Sequence, residues 1–416
     1  FSSFLIYKMI IRGEGKMKKR VFSLILAMVM VLVLVVGCGA QDKDSKTDSS
    51  DAVATKEAAN DAPIANEDIK IGVSIWSSTD VLGSQCKLIL DAAADALGVQ
   101  VQYVDQGHVS EKVTASVEQL VAAGCNGIII CNSSDTEMTS AIKTASDNGV
   151  YMAQFFRAIH PENSADIYKM AQESPYYVGA VHENEPGNGE ELVKILIDKG
   201  SRNIGLIGWE QGDATWLGRW EGYKKGVEEW NAANPDDQVK LSEPQYAGTS
   251  SDGGAKAAEA LMAADPTIDA IIPAGGGGDP LLGAVAAVER AGKTDSINIV
   301  STDFLPDLGE RLANGSIAGE SGGHFCDPMF AFMMVYNAIK GNYEVPTDGF
   351  YDLVFPYLFV SSTEDYAGYE KYFVETMPYT NDELVAISEM SYDDMEEVAL
   401  NLSIADAEAR STNPIK

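Results

Sequence analysis

Aromatic and hydrogen-bonding side chains stand just past the ends of several apolar segments of this chain. Trp76 and Asp80 follow one such run, Ile69 to Val73, and Asp303 follows another, INIVST. Carboxylates, amides and guanidinium groups bind hydroxyl groups, and aromatic rings pack against flat apolar faces. The pattern predicts a site for a small polar ligand, with candidate residues Trp76, Asp80, Asn132, Asp135, Phe156, Arg157, Asp213, Thr215, Arg219, Asp279, Asp303, Phe304 and Glu320.

Several candidates have a purely structural alternative. Trp76 could serve in packing, since Trp is often largely buried, and Arg157 could be a solvated loop charge. Arg219 lies on an amphipathic segment and could be a surface residue. Asp135 could cap the helix that follows it, as Asp commonly does. These alternatives stay open at the level of the sequence.

The candidates must be positioned by the strands and helices around them. The first unit is a strand, Ile69 to Val73, a polar loop, and a helix from about Gly83 to Leu97. Apart from Lys70 this strand has no polar face, as is typical of a buried parallel strand. Parallel α/β sheets bind ligands beyond the carboxyl ends of their strands, which is where the candidates lie.

Strands and helices alternate at short intervals in two series, which predicts α/β lobes with parallel sheets. A loop at about 157–176 separates the series. We predict an N-terminal lobe of residues 69–176 plus 324–345 and a C-terminal lobe of residues 177–323 plus 346–365. Extended segments at 316–323 and 350–360 are interpreted as later crossings, which would join the lobes at a multi-strand hinge. Residues 366–416 are predicted to be an acidic helical extension.

The N-terminal region has the pattern of an export signal. Met17 begins a Lys18-Lys19-Arg20 stretch, followed by an apolar run to Val36 and then by Gly37-Cys38. This is typical of a lipoprotein signal peptide over 17–37, with Cys38 as the lipidated residue. The alternative is a membrane anchor, but the run is shorter than the ~20 residues of a spanning helix. Residues 38–68 are predicted to be a flexible tether.

Charge and motifs exclude several classes of function. The chain has a net charge of −32, and residues 1–37 carry six basic residues and one acidic residue, so the remainder carries −37. This charge argues against nucleic acid and against anionic lipid surfaces as partners. The glycine run 275–278 lacks the spacing of a nucleotide cradle, although its backbone could approach a ligand.

Catalysis, cofactors and metals are not expected. The chain has no GxSxG or HExxH motif, and its four histidines are scattered. Paired carboxylates could in principle serve glycoside hydrolysis, which would consume a sugar polymer. The four cysteines after Cys38 form no CxxC pair and are interpreted as small buried residues: Cys86, Cys125, Cys131 and Cys326.

Over roughly residues 69–360 the chain resembles a known family, the type I periplasmic sugar-binding proteins of ABC transporters, specifically the ribose- and galactose-binding group. The resemblance depends on the order of these segments: IGVSIW, GVQVQYVDQ, QLVAAGCNGIIICNSSD, NGVYMAQFFR, YVGAVHENEPGNGEELV, IGLIGWEQGDATWLGRWEGYKKGV, AIIPAGGGGDPLLGAVAAVERAG, INIVSTDF and NGSIAGES. The glycine run and His182-Glu183-Asn184 depart from the family pattern.

The resemblance implies two Rossmann-like lobes that close on a sugar, and a monomer that delivers the sugar to an ABC permease. It also implies that the positions of Arg219, Asp303 and Glu320 lie at the ligand. With the signal peptide, it predicts a protein of the cell envelope anchored through Cys38. The alternative is a receptor of the same fold that presents a sugar or an autoinducer-2-like signal to a membrane sensor kinase.

Overall fold

A computed structural model describes residues 64–275, 279–347 and 349–416 of the chain. The predicted signal peptide, the lipidation site Cys38 and most of the predicted tether lie outside these residues. The described part contains two β-sheets with helices packed against them, as the alternation of strands and helices predicts. The predicted α/β class with two lobes is therefore confirmed.

The first lobe is built on a six-stranded, fully parallel sheet with the order β12-β5-β4-β3-β1-β2. The inner strands β1, β3, β4 and β5 are almost completely buried, because helices cover both faces, whereas the edge strands β2 and β12 are partly exposed. The elements are β1 Lys70–Ile75, α1 Val81–Leu97, β2 Gln100–Asp105, α2 Ser110–Ala122, β3 Gly127–Ile130, α3 Asp135–Asp147, β4 Tyr151–Phe155, α4 Pro161–Glu173, β5 Tyr177–Glu183, α10 Asp327–Lys340 and β12 Tyr351–Phe355.

The second lobe is built on a seven-stranded sheet with the order β13-β11-β10-β9-β6-β7, in which β8 also pairs with β6. Only the pair β11 and β13 is antiparallel. The elements are α5 Glu185–Asp198, β6 Asn203–Gly208, α6 Ala214–Ala233, β7 Lys240–Leu241, β8 Gln245–Tyr246, α7 Ser251–Ala264, β9 Ala270–Pro273, α8 Asp279–Arg290, β10 Asn298–Thr302, α9 Leu308–Asn314, β11 Gly319–Gly322 and β13 Leu358–Val360.

The chain crosses between the sheets at three places: after β5, between β11 and α10, and between β12 and β13. The predicted lobe boundaries are wrong at two of them. β5 pairs with β4 and β12, so Tyr177–Glu183 belongs to the first lobe and the boundary lies after residue 183 rather than 176. For the same reason β12 belongs to the first lobe, and only the strand after Pro356 belongs to the second.

One local prediction also differs from the structure. The predicted loop at 157–176 contains α4, which begins with Pro161 at a position where the missing N–H costs nothing. In the second lobe, β7 and β8 are two short, separate strands. Pro244 lies between them and cannot donate a hydrogen bond to a ladder.

Residues 363–416 are largely helical, and a helical extension is predicted for residues 366–416. The helices are α11 Thr363–Tyr369, a π-helical turn Glu370–Val374, α12 Asn381–Ser388, α13 Tyr392–Leu400 and α14 Ile404–Arg410. Between residues 64 and 416, gaps aside, none of the helices combines the length and the apolarity that crossing a membrane requires.

Helices α5 and α6 approach each other closely through glycine. A Cβ atom on Gly222 would lie 1.9 Å from the carbonyl oxygen of Pro186, and one on Gly189 would lie 2.3 Å from that of Arg219. The two backbones therefore touch where only glycine fits.

We expect Gly222→Ala to destabilise the protein by about 1 to 3 kcal/mol, because the added methyl forces α5 and α6 apart. Gly226→Ala is the matched control one turn further along α6, where the nearest atoms would lie at an ordinary 3.4 Å. Urea unfolding of both variants measures the difference. Equal stabilities would show that the helices separate without cost.

Candidate functional site

A cavity of about 400 Å³ lies between the two lobes, at the carboxyl ends of the parallel strands. Residues of both lobes and of the chain crossings form its walls. They are Trp76, Asp80, Val81, Leu82, His108, Cys131, Phe156, Arg157, Glu183, Glu185, Trp209, Asp213, Thr215, Arg219, Asp303, His324 and Tyr357. Parallel α/β sheets bind ligands beyond the carboxyl ends of their strands, which we call the strand-end rule, so the cavity lies where a ligand is expected.

The cavity brings together eight of the thirteen candidate residues from the sequence: Trp76, Asp80, Phe156, Arg157, Asp213, Thr215, Arg219 and Asp303. In the first lobe they come from the loops after β1 and β4. In the second lobe they come from the start of α6 and from the loop after β10. Their contact with a ligand remains a prediction.

Trp76 forms an aromatic wall in the first lobe. Its indole N–H donates to Asp80 Oδ2 at 2.6 Å, and Asp80 Oδ1 accepts from Gly83 N at 2.7 Å as the N-cap of α1. The His108 ring stacks on Trp76 at 5.8 Å with an interplanar angle of 4°, and Phe156 lies 5.6 Å away. Asp80 thus orients the indole face and caps a helix at once.

Three described residues other than glycine have a positive φ, and all three line the cavity: His108 at 52°, Phe156 at 58° and Asp303 at 75°. Each follows the carboxyl end of a strand. This backbone conformation is costly for residues with a Cβ, and such strain concentrates at functional sites. The three loops are therefore shaped by the site rather than by local preference.

Arg219 is the best-connected cation of the site and only 3% exposed. Its Nε donates to Glu185 Oε2 at 2.6 Å, and its Nη1 donates to the carbonyl oxygen of Ala274 at 2.5 Å. Tyr357 hydrogen-bonds to both partners, at 3.1 Å from Arg219 Nη2 and from Glu185 Oε1. The guanidinium also lies 5.4 Å from the Trp209 ring centre. Arg219 is therefore a fixed, neutralised part of the wall and not a surface charge.

His324 and Asp303 form a second polar pair in the cavity. His324 Nε2 lies 3.2 Å from Asp303 Oδ1, while Nδ1 has no hydrogen-bond partner within the protein. Burial disfavours the imidazolium, but Asp303 outweighs burial, so the pKa of His324 is raised. The pairing holds the ring at the cavity wall, with Nδ1 buried and without a partner in the protein.

Glu183 and Asp327 form a buried pair of carboxyl groups beside the cavity. Asp327 accepts a hydrogen bond from Phe156 N at 3.3 Å, which supports the strained loop after β4. Burial, and then the neighbouring Glu183, raise the pKa of Asp327 well above its ordinary value. Burial also raises the pKa of Glu183. We infer that the pair shares a proton instead of carrying two negative charges.

Three candidates with described side chains lie outside the cavity wall. Asn132 is buried and its Oδ1 accepts from Gln154 Nε2 at 2.6 Å. Asp135 is the first residue of α3, whose N-cap is Ser134, so the capping alternative does not hold either. The Phe304 ring packs on Tyr369 at 4.5 Å. Asp279 begins α8, and its side chain lies outside what the structure describes.

Glu320, the fourth described candidate outside the wall, is fully buried in β11. Its Oε2 accepts from Leu305 N at 2.8 Å, and its Oε1 has no partner in the protein. Burial is the largest influence on this carboxyl group and raises its pKa to about 8. The side chain supports the loop after Asp303 and is not part of the cavity wall, so its contact with a ligand stays a prediction.

Glu320 predicts a pH dependence of stability. The folded protein retains a proton that the unfolded chain releases, so stability should fall as the pH rises from about 4.5 to about 8. Glu320→Gln keeps the bond from Leu305 N without a charge and should be the more stable protein at pH 8, by more than about 1 kcal/mol. Urea unfolding at pH 5 and pH 8 tests this. A difference between variant and parent that does not change with pH would contradict it.

The sequence did not identify the residues at the chain crossings. Glu183 and Glu185 flank the first crossing, His324 lies in the second and Tyr357 in the third. These residues lie in or next to short connections between the lobes. The pairing of the neighbouring strands decides which way each connection faces. His108 and Trp209 follow β2 and β6, so the strand-end rule could have found them.

A metal site is not apparent in the described part of the chain, where no three His, Cys, Asp or Glu side chains are grouped to hold an ion. The four cysteines described are free and buried, as predicted.

Comparison with known proteins gives a family and a fold. Residues 71–339 match the family model described as a periplasmic binding protein domain. No curated protein matches the chain at a significant level.

Solved structures share the fold at low sequence identity. An ABC transporter periplasmic solute-binding protein from Actinobacillus succinogenes, with bound D-allose, is 17% identical with a TM-score of 0.60, over 71% of this chain and 98% of that one. A solute-binding protein from Bacillus halodurans with bound myo-inositol is 20% identical with a TM-score of 0.58, over 74% and 98%. The binding protein of a Shewanella arabinose transporter, bound to L-arabinofuranose, is 19% identical with a TM-score of 0.58, over 78% and 99%.

Proposed function

The chain belongs to the periplasmic binding protein family, and on that premise we propose that it captures a sugar between its two lobes and delivers it to an ABC importer. It does so as a binding protein, without chemical change to the ligand. The observation that carries the proposal is the composition of the interlobe cavity.

Both lobes supply aromatic faces and hydroxyl-binding groups to that cavity. Trp76 and Phe156 stand on one side and Trp209 on the other, among carboxylates such as Asp80 and Asp213. A sugar has hydroxyl groups for the carboxylates and apolar C–H faces for the rings. Five carboxylic residues against two arginines favour a neutral polyol over an anion, which would meet like charge.

A thermal-shift screen of the purified protein tests the ligand class. The compounds are monosaccharides, disaccharides, polyols, nucleosides and amino acids, and they include D-allose, myo-inositol and L-arabinose. A sugar at a hundred times its dissociation constant should add about 2.7 kcal/mol of stability. We expect one sugar to raise the melting temperature and to be recovered unchanged. A shift with a nucleoside or an amino acid alone would overturn the proposal, and recovery of a hydrolysed sugar would indicate an enzyme.

We propose further that the protein is exported and held at the membrane by a lipid on Cys38. The support is the sequence alone: a basic stretch, an apolar run and Gly37-Cys38. Expression in a bacterium with labelled palmitate should label the parent but not Cys38→Ala. Labelling of both would contradict lipidation at this residue.

Delivery to an importer has a direct test. The membrane permease, reconstituted with its ATPase, should hydrolyse ATP faster when this protein and its sugar are added together than with either alone. Stimulation of a sensor kinase, without stimulation of any permease, would favour the receptor alternative.

A further inference from the structure

The C-terminal extension, residues 363–416, makes a fourth connection between the lobes. It begins directly after β13 of the second lobe, and α11 packs there on α9 and β13. The chain then turns through the π-helical segment, and α12 packs on α1 and α10 of the first lobe. Helix α13 continues on β12. The extension lies beyond the part of the chain that matches the family model.

Tyrosine rings anchor the extension to the second lobe. The Tyr366 ring lies so close to Gly309 of α9 that a Cβ there would be 2.4 Å from its Cε1 atom. The ring of Tyr369, which is 4% exposed, packs on Phe304 at 4.5 Å. Phe304 directly follows Asp303, a wall residue of the cavity.

Different side chains anchor the extension to the first lobe. Leu384 and Ile387 of α12 are completely buried. The Tyr379 ring packs edge-on against Phe330 of α10 at 6.0 Å, and the Tyr392 ring stacks on Tyr351 of β12 at 4.1 Å. Because these apolar side chains are buried against the first lobe, the extension stays packed on that lobe.

The extension is also rigid within itself. Arg410 of α14 donates to Glu383 of α12 at 3.1 Å and to the carbonyl oxygen of Pro378 at 2.8 Å. Its Nε donates to Asp406 at 2.7 Å. These bonds tie α14 to residues 378–383, which follow the segment that crosses between the lobes. A displacement of that segment is therefore transmitted to α14.

Tyr369 touches both walls of the cavity from behind. Its ring packs on Phe304 of the second lobe, and Phe304 lines a small cleft together with Gln85 of α1 in the first lobe. The Tyr369 hydroxyl is in polar contact with the Gln85 side chain. Gln85 lies one turn after Val81 and Leu82, which line the cavity. One buried side chain thus joins the first turn of α1 to the loop that carries Asp303.

We propose that the extension is an interlobe strap and that Tyr369 is a positioning residue, which holds the start of α1 and the Asp303 loop at the separation that the ligand requires. Lobe opening then has to break the contacts of Tyr369 or carry the whole extension along. The strap limits how far the ligand-free lobes separate. The effect on sugar affinity rests on the proposed function, whereas the effect on lobe separation does not.

The test compares Tyr369→Ala and Tyr369→Phe with Tyr372→Ala in the full chain. Tyr372 is the matched control, because its hydroxyl contacts Lys371 and Glu408, which both belong to the extension. Small-angle scattering gives the radius of gyration without ligand, and hydrogen exchange gives the opening of residues 80–90 and 303–309. Titration with the sugar found in the screen gives the dissociation constant.

We expect Tyr369→Ala to increase the radius of gyration and to speed exchange in both segments, while Tyr372→Ala behaves like the parent. Tyr369→Phe loses the polar contact with Gln85 and should raise the dissociation constant about threefold to tenfold. A folded Tyr369→Ala protein with unchanged scattering and exchange would overturn the proposal.

Two further variants keep the test decisive if Tyr369→Ala does not fold. Gln85→Ala and Tyr369→Phe each remove the same polar contact, so each should speed exchange and the double variant should add little. If the two effects on exchange add fully in the double variant, the contact between Tyr369 and Gln85 does not hold the lobes in position. If no sugar binds the parent protein, the proposed function fails, and scattering and exchange still decide on the strap.

Discussion

Replacing Arg219 with alanine is expected to destabilise the protein by about 3 to 5 kcal/mol and to abolish ligand binding. The guanidinium is buried with Glu185, whose side chain is 18% exposed, and their closest atoms are 2.6 Å apart. Removing one member of a buried ion pair leaves the other charge without compensation. The carbonyl oxygen of Ala274 and the Tyr357 hydroxyl lose a donor as well.

Urea unfolding of the variant measures this loss. Arg290→Ala is the matched control, because Arg290 pairs with Glu259 at 2.9 Å while more than half of each side chain is exposed. That control should change stability by less than about 1 kcal/mol. Adding Glu185→Gln to Arg219→Ala should restore part of the stability, since it removes the uncompensated charge. Equal losses in Arg219→Ala and Arg290→Ala would contradict a buried, structural ion pair.

Replacing Trp76 with alanine is expected to weaken sugar binding by about 2 kcal/mol or more, which is about 30-fold in the dissociation constant. The indole offers a flat face to the cavity, and the Asp80 bond and the His108 stack hold that face in place. Trp76→Phe keeps an aromatic face and should lose less.

Titration calorimetry with the sugar from the screen gives the dissociation constants. Trp230→Ala is the control, because Trp230 lies near the end of α6, where its N–H donates to the carbonyl oxygen of Asp237 at 2.7 Å. The Trp230→Ala variant should bind the sugar with the same dissociation constant as the parent protein. If Trp76→Ala binds the sugar with the same dissociation constant as the parent protein, the Trp76 ring does not contribute to binding.

The two sheets were predictable from the sequence because buried parallel strands leave a strong pattern. The run GIIIC is apolar on both faces, and polar residues appear as soon as it ends. Asp303 and Arg157 also follow the ends of strands and line the cavity, while their contact with a ligand stays a prediction. The membership of a strand in one sheet or the other leaves no such pattern, so β5 and β12 were assigned to the wrong lobe.

The part of the site at the chain crossings was not predictable for the same reason. Glu185 and Tyr357 meet Arg219 only because two crossings, more than 170 residues apart in the chain, lie side by side. Glu320 lies in the expected segment, but β11 is buried at all four of its residues and the carboxyl group is not part of the cavity wall. The positive φ of Phe156 and Asp303 has no signal in the residue types.

Hydrogen exchange with and without the sugar shows whether one ligand contacts both lobes at the ends of their strands. A ligand held between the lobes should slow exchange in two separate regions, residues 76–83 of the first lobe and 209–219 of the second. Protection confined to one lobe, or to the extension, would contradict a ligand held between the lobes.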